Sequence, residues 1–69
     1  MESQEKLGKI LKKARKEANL TQAKLAEKSG IHVNYYARIE RGEVNPTVDI
    51  LDGIAKALKI ELKFPLRNN

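Results

Sequence analysis

The sequence predicts an all-α fold, a bundle of four to five helices in a single domain of residues 1–69. Three observations predict it. Apolar residues recur at three- and four-residue steps in separate segments, as they do along one face of a helix. Gly30 and Gly42 follow two of these segments, where glycine commonly ends a helix. Only residues 60–64 change to an alternation of apolar and polar residues, which is a strand pattern.

Residues 4–18 predict the first helix, with Ser3 as its N-cap. Its apolar stripe consists of Leu7, Ile10, Leu11, Ala14 and Ala18. The helix is strongly basic, and we interpret most of its lysines as a solvated face. Arg15 lies at the edge of the apolar stripe, where an arginine becomes partly buried. A partly buried arginine requires a carboxylate partner, so this position predicts an ion pair.

Residues 21–40 predict a helix-turn-helix, two short helices joined by a tight turn. Thr21 is the predicted N-cap of the first, and Gly30 supplies the positive φ of the turn. Residues 33–41 predict the second helix, with His32 in the N-cap position. A short helix, a glycine turn and a helix with a polar outer face can present side chains to DNA.

The two faces of the second short helix differ in character. At 100° per residue, Asn34, Arg38 and Arg41 line the outward side. Tyr36 and Ile39 lie on the inward side, together with the acidic residue at position 40. An inward carboxylate there predicts a structural salt bridge between Arg15 and Glu40. The alternative is that Glu40 simply reaches solvent.

The last part of the chain predicts one more helix and a tail. Thr47 is the predicted N-cap of the fourth helix. Its apolar stripe consists of Val48, Leu51, Ile54, Ala55 and Leu58. In the tail, Ile60, Leu62 and Phe64 predict a short strand that pairs with the same strand of a second copy, giving a dimer. The alternatives are a frayed coil and a short fifth helix at the dimer interface.

Composition excludes several classes of protein. Fourteen Lys and Arg against 9 Asp and Glu give a net charge of +5, which suits an anionic partner without identifying one. With one His, no Cys and no glycine-rich phosphate loop, we expect neither an enzyme nor a metal site, and no cofactor. No apolar run approaches the roughly 20 residues of a membrane span. We therefore expect a cytoplasmic protein with no membrane partner.

Residues 7–62 resemble the Cro/CI-type helix-turn-helix domain of phage repressors, the lambda-repressor-like or xenobiotic response element family. The matching residues are Leu20-Thr21-Gln22, Leu25-Ala26, Gly30-Ile31, Ile39-Glu40-Arg41-Gly42, Asn45-Pro46-Thr47 and Ala55-Lys56-Ala57-Leu58. The resemblance implies a compact helical bundle that binds operator DNA, usually as a dimer. It also implies an arginine and a glutamate at the positions of Arg15 and Glu40. Two departures are Tyr36, where the family usually has Ile, Val or Leu, and His32, where it has a small hydroxyl cap.

These observations predict a sequence-specific DNA-binding transcriptional regulator, a repressor that binds a palindromic operator as a homodimer. The residues expected to read bases are Val33, Asn34, Tyr35 and Arg38. The residues expected to contact phosphate are Thr21, Gln22, His32, Arg41 and Asn45. One alternative, motivated by the tail, is a repressor-antitoxin that binds both DNA and a toxin protein. Another is a helical protein-interaction module without DNA binding.

Overall fold

The computed structural model describes residues 2–60, and this part of the chain is all α-helical, as predicted. Its four helices are α1 (Glu2–Glu17), α2 (Gln22–Ser29), α3 (Val33–Glu40) and α4 (Val48–Leu58). The predicted strand lies almost wholly outside the described residues, which end at Ile60, so Leu62 and Phe64 are not among them. Within the described range, no helix has the length and apolar content needed to cross a membrane.

Side-chain caps start three of the helices. The Thr21 Oγ1 atom accepts a hydrogen bond from the backbone N–H of Lys24 at 3.0 Å, at the start of α2. His32 Nδ1 accepts from the Asn34 N–H at 3.0 Å, so the imidazole replaces the usual hydroxyl cap of α3. At the start of α4, the Thr47 Oγ1 atom accepts a hydrogen bond from the backbone N–H of Ile50 at 3.2 Å. Each cap satisfies a backbone donor that a helix start leaves without an intrahelical partner.

Each helix ends at a residue in the left-handed conformation. These residues are Asn19 (φ 60°), Gly30 (φ 74°), Gly42 (φ 75°) and Lys59 (φ 58°). In every case the next backbone N–H bonds to a carbonyl five positions earlier in the helix, at 2.9–3.1 Å. This arrangement pairs carbonyls that would otherwise lack a partner and stops the helix sharply. These helix ends therefore give each helix a defined length.

The core lies where α2 packs against α3 and α4 and where α1 packs against α3. Its largest fully buried side chains are Tyr36, Leu11, Leu25, Ile39 and Ile54. Burial of a large apolar side chain contributes about 1.5–3 kcal/mol to folding. Because α2 and α3 have only eight residues each, packing rather than helix propensity holds them in place.

The backbones of α1 and α3 approach each other closely at Gly8. A Cβ atom built at Gly8 would lie 2.2 Å from the carbonyl oxygen of Glu40 and 2.8 Å from that of Ile39. Only glycine fits this distance without displacing one of the helices. This contact is not among the features expected from the sequence. The signal that marks it is a glycine inside a helical pattern, which lowers helix stability and therefore indicates close packing.

Three expectations for α1 are wrong. The helix begins at Glu2, so Ser3 lies inside it and is not its N-cap. Ile10 is 53% exposed, although it was expected in the apolar stripe. Ala18 follows the helix end and is exposed. Ile10 lies about 100° around the helix from Leu11, at an edge that no described element covers.

Ile60 completes the end of α4. Its backbone N–H donates to the carbonyl of Ala55 at 3.0 Å, and its half-buried side chain packs against the core of its own chain. That N–H is therefore not free to join an intermolecular sheet. A strand that pairs with a second copy would have to begin after Ile60.

Candidate nucleic-acid interface

The turn between α2 and α3 fixes the angle between these helices. Gly30 takes the positive φ, and the N–H of Ile31 bonds to the carbonyl of Ala26 at 3.0 Å. Ile31 then packs, half-buried, against the core. Leu25 and Ala26 on α2 are buried beneath it. The turn therefore anchors the chain at Ile31, two residues before α3 begins, and one face of this helix is directed to solvent.

The outward face of α3 is polar and exposed. Asn34 is exposed, and the side chains of Arg38 and Arg41 are 53% and 57% accessible. Tyr36 and Ile39 are buried on the opposite side of the helix. The two faces are thus distributed as the helical period predicts. An amide and two guanidinium groups on one surface are the groups that read base edges and bind phosphate.

Val33 and Tyr35 are less free than the sequence suggested. Both are half-buried, and both pack against the hydrophobic core. Part of each side chain therefore stabilises the position of α3. Only the remaining surface can contact a partner, at the flank of the face formed by Asn34 and Arg38.

The residues expected to contact phosphate lie around the ends of the short helices. Thr21 is exposed, and because its oxygen accepts the cap bond, its O–H remains a donor. His32 is also exposed, and Nδ1 accepts the cap bond. The proton of the neutral imidazole therefore lies on Nε2, which can donate outward. Asn45 is exposed in the loop after α3.

A buried polar network lies beneath this surface, centred on Glu40. The predicted salt bridge is present: Arg15 Nε donates to Glu40 Oε2 at 2.6 Å, and Nη2 donates to Oε1 at 3.3 Å. Arg15 Nη1 also donates to the carbonyl of Leu20 at 2.8 Å. The Tyr36 hydroxyl donates to Glu40 Oε2, one turn along the same helix. The network joins α1 to α3 and to the start of the helix-turn-helix.

Gln22 extends this network to the surface. Its Nε2 donates to Glu40 Oε1 at 3.0 Å, from a half-buried position in the first turn of α2. An amide nitrogen carries two protons, so the second N–H of Gln22 can still donate to a phosphate. From the sequence, Gln22 is expected to contact phosphate only, and its bond to Glu40 is an additional finding. The available signal was the inward carboxylate, whose oxygens can accept more bonds than the two that one edge of an arginine supplies.

The charges in the network are mutually stabilised. Burial acts to raise the pKa of Glu40, but hydrogen bonds from Arg15, Tyr36 and Gln22 outweigh it and hold that pKa below its ordinary value of 4.5. Burial and the bond to Glu40 raise the pKa of Tyr36. Glu40 therefore stays ionised, and Tyr36 stays protonated as its donor.

The lowered pKa of Glu40 predicts how stability depends on acid. Glu40 binds a proton more readily in the unfolded chain, near pH 4.5, than in the folded one. Its contribution is therefore complete above pH 4.5 and is lost as the pH falls through the lower, folded pKa. Thermal unfolding measured against pH should show a steeper acid loss in the wild type than in Glu40→Gln. Parallel curves for the two proteins would contradict this assignment.

Glu43 is a member of this surface that the sequence analysis missed. Its Oε2 lies 2.7 Å from Arg41 Nε, its Oε1 lies 3.2 Å from Arg41 Nη2, and Oε1 also lies 3.5 Å from Arg38 Nε. The Arg41 guanidinium, through hydrogen bonding and charge, lowers the pKa of Glu43. An acid just past the helix end was the available signal. The direction in which the Glu43 side chain points depends on the turn at Gly42, and the sequence pattern does not specify the geometry of that turn.

Comparison with known sequences identifies the family. The sequence model described as Helix-turn-helix matches residues 11–64, which is more than half of the chain. The chain belongs to the Cro/CI-type helix-turn-helix family. The matched span overlaps the range of residues 7–62 that carries the motifs.

Three relatives illustrate the similarity of this chain to known proteins of the Cro/CI-type family. The immunity repressor protein of Bacillus phage phi105 is 43% identical over 56 residues, which cover 81% of this chain and 39% of that protein. The CTXphi transcriptional repressor RstR of Vibrio cholerae is 40% identical over 57 residues, 83% of this chain and 51% of that protein. Control protein C.SmaI of Serratia marcescens is 41% identical over 58 residues, 84% and 69% respectively.

The chain spans less than two fifths of the phi105 repressor. The match thus establishes the family of this domain, and it does not extend to the remaining part of the phi105 repressor. Within the Cro/CI-type family, the structure also accounts for the tyrosine at position 36. The Tyr36 ring fills a fully buried site, and Glu40 accepts the bond from its hydroxyl. Tyr36 therefore keeps the packing role of the usual aliphatic residue.

Proposed function

We propose that this protein is a sequence-specific DNA-binding regulator that represses transcription. One observation carries the proposal: α3 and its C-cap residue expose Asn34, Arg38 and Arg41 on a single face, and the turn and the buried network hold this helix at a fixed angle. Two of the relatives described above are named as repressors, which supports the same function. A regulator of genes acts where the DNA is, and we therefore place it in the cytoplasm.

The N-terminal half of α3 would enter the major groove. Asn34 suits the N6 and N7 atoms of adenine, and Arg38 suits O6 and N7 of guanine, each through a bidentate contact. Val33, which is half-buried, would meet a thymine methyl with the part of its side chain that stays exposed. Tyr35, half-buried at the flank, would touch a base edge or a phosphate with its outer part.

Phosphate groups would be held on both sides of this helix. The start of α2 offers backbone N–H groups, the Thr21 hydroxyl and the second N–H of Gln22. His32 adds its outward Nε2 proton. Arg41 and Asn45 lie at the other end of α3 and would fix the far side of the half-site. Such contacts orient the protein on the duplex without reading its sequence.

Two copies would be needed for a full site, because an eight-residue α3 reaches only a few base pairs. A symmetric dimer sets its two reading helices about one DNA turn apart and favours a palindromic operator. We propose the tail as the dimer contact. Of its residues, Ile60 packs on its own core, while Leu62 and Phe64 lie outside the described range.

Arg38→Ala tests the assignment of the reading residue. We expect it to weaken binding to a preferred duplex by roughly 1–3 kcal/mol and to relax preference at one base position. The loss arises because alanine cannot donate to guanine. Titration of the variant against duplexes that differ at single positions, at fixed salt, measures both effects.

Lys9→Ala is the matched control for this experiment. Lys9 is exposed on the side of α1 opposite the buried Leu11, so the variant removes the same charge away from α3. It should change affinity for all sequences slightly and equally. If Arg38→Ala behaves like Lys9→Ala, the guanidinium of Arg38 does not read a base.

A further inference from the structure

The carboxylate of Glu43 lies between the two arginines on the outward face of α3. It accepts from Arg41 through both oxygens, at 2.7 and 3.2 Å, and lies 3.5 Å from Arg38 Nε. All three side chains are about half exposed, with accessibilities of 47–57%. Exposed ion pairs contribute little to folding. The ion pairs of Glu43 therefore matter more for what this surface binds than for the stability of the fold.

The backbone determines where this carboxylate lies. The N–H of Glu43 donates to the carbonyl of Arg38 at 2.9 Å, and the N–H of Gly42 donates to that of Ile39 at 3.0 Å. Gly42 takes the left-handed conformation that these bonds require. The helix end thus brings residue 43 back beside the arginines, whatever its side chain is. A change of side chain at this position leaves the backbone arrangement intact.

Arg41 contacts Glu43 more closely than Arg38 does. Arg41 uses both Nε and Nη2, so the carboxylate occupies one whole edge of its guanidinium. The closest approach of Arg38 to Glu43 is through Nε, at 3.5 Å. Among residues 2–60, neither Nη1 nor Nη2 of Arg38 has a hydrogen-bond partner. These two groups form the outer edge of the guanidinium, which can bind guanine O6 and N7 in bidentate fashion.

We propose that Glu43 is a specificity-determining residue of the DNA-binding surface, an inference that rests on the proposed function. Its negative charge repels phosphate, and it competes with phosphate for the occupied edge of Arg41. Guanine carries no charge and meets the free edge of Arg38, whose orientation Glu43 helps to fix. Glu43 therefore weakens binding to arbitrary DNA more than binding to a preferred site.

Glu43→Gln removes the charge and keeps the shape of the side chain. For a duplex of arbitrary sequence, we expect affinity to rise by about fivefold, the upper range for an exposed charge pair. The log–log slope of affinity against salt should steepen by about 0.9, as one more phosphate contact forms. For a duplex selected by the wild-type protein, lost orientation of Arg38 offsets the gain. The ratio of selected to arbitrary binding should therefore fall several-fold.

Glu17→Gln is the control, because Glu17 is exposed on α1, away from α3, and the variant changes net charge equally. It should leave the ratio of the two affinities unchanged. If the wild type discriminates between the duplexes and Glu43→Gln keeps or raises that ratio, the role of Glu43 is overturned. If the wild type binds both duplexes equally, the proposed function itself fails.

Discussion

Glu40→Ala is expected to lower the free energy of unfolding by about 3–5 kcal/mol, because it removes one partner of a buried ion pair. The side chains of Arg15 and Glu40 are only 10% and 3% accessible. Alanine at position 40 would leave the Arg15 guanidinium, the Tyr36 hydroxyl and the Gln22 amide without their shared acceptor. Buried polar groups without partners are costly.

A domain of this size has a core that supplies about 3–5 kcal/mol in all, so the variant should be largely unfolded. Far-UV circular dichroism and urea titration measure this loss. Glu27 offers a matched control, since it pairs with Lys24 at 3.4 Å on the exposed side of α2. Glu27→Ala should change stability by less than about 0.5 kcal/mol. Equal losses in the two variants would show that the network around Glu40 is not a structural clamp.

Gly8→Ala is expected to destabilise the fold by about 1–3 kcal/mol, because the new methyl group overpacks the contact between α1 and α3. Its Cβ would meet the backbone carbonyl of Glu40 at 2.2 Å, and a backbone atom cannot rotate away as a side chain does. Alanine would otherwise favour a helix by up to about 1 kcal/mol. A loss of stability in Gly8→Ala therefore indicates close packing at this position, whereas a gain indicates that helix propensity dominates.

Gly53→Ala in α4 is the matched control for this change. A Cβ there would lie 3.6 Å from the carbonyl oxygen of Ser29, which is an ordinary van der Waals contact. Helix propensity should then dominate, and the variant should gain up to about 1 kcal/mol. Thermal unfolding of both variants beside the wild type measures the difference. A gain in stability for Gly8→Ala would contradict the close approach of α1 and α3.

The periodic pattern was sufficient to predict the four helices because it reports which residues must leave water. Gly30 and Gly42 marked helix ends for an equally local reason, their positive φ. Ile10 was misplaced because burial at the edge of a stripe depends on whether another element covers it. The local sequence pattern does not show whether another helix covers that edge.

The candidate site divides in the same way. The outward positions of Asn34 and Arg38 follow from helical geometry alone. The bond from Gln22 to Glu40 and the bridge formed by Glu43 depend on how separate segments meet. Packing between elements also decides how much of Val33 and Tyr35 stays exposed. These features join segments that are distant in sequence, and no residue spacing within one segment specifies its distance to another.

Selection of binding sites from random duplex DNA decides between sequence-specific recognition and general attraction to phosphate. We predict that the wild-type protein returns two inverted half-sites with centres about one helical turn apart. The same selection with Arg38→Ala should lose preference at one position in each half-site and keep the spacing. Recovery of no shared sequence by the wild-type protein would contradict recognition of DNA by the outward face of α3.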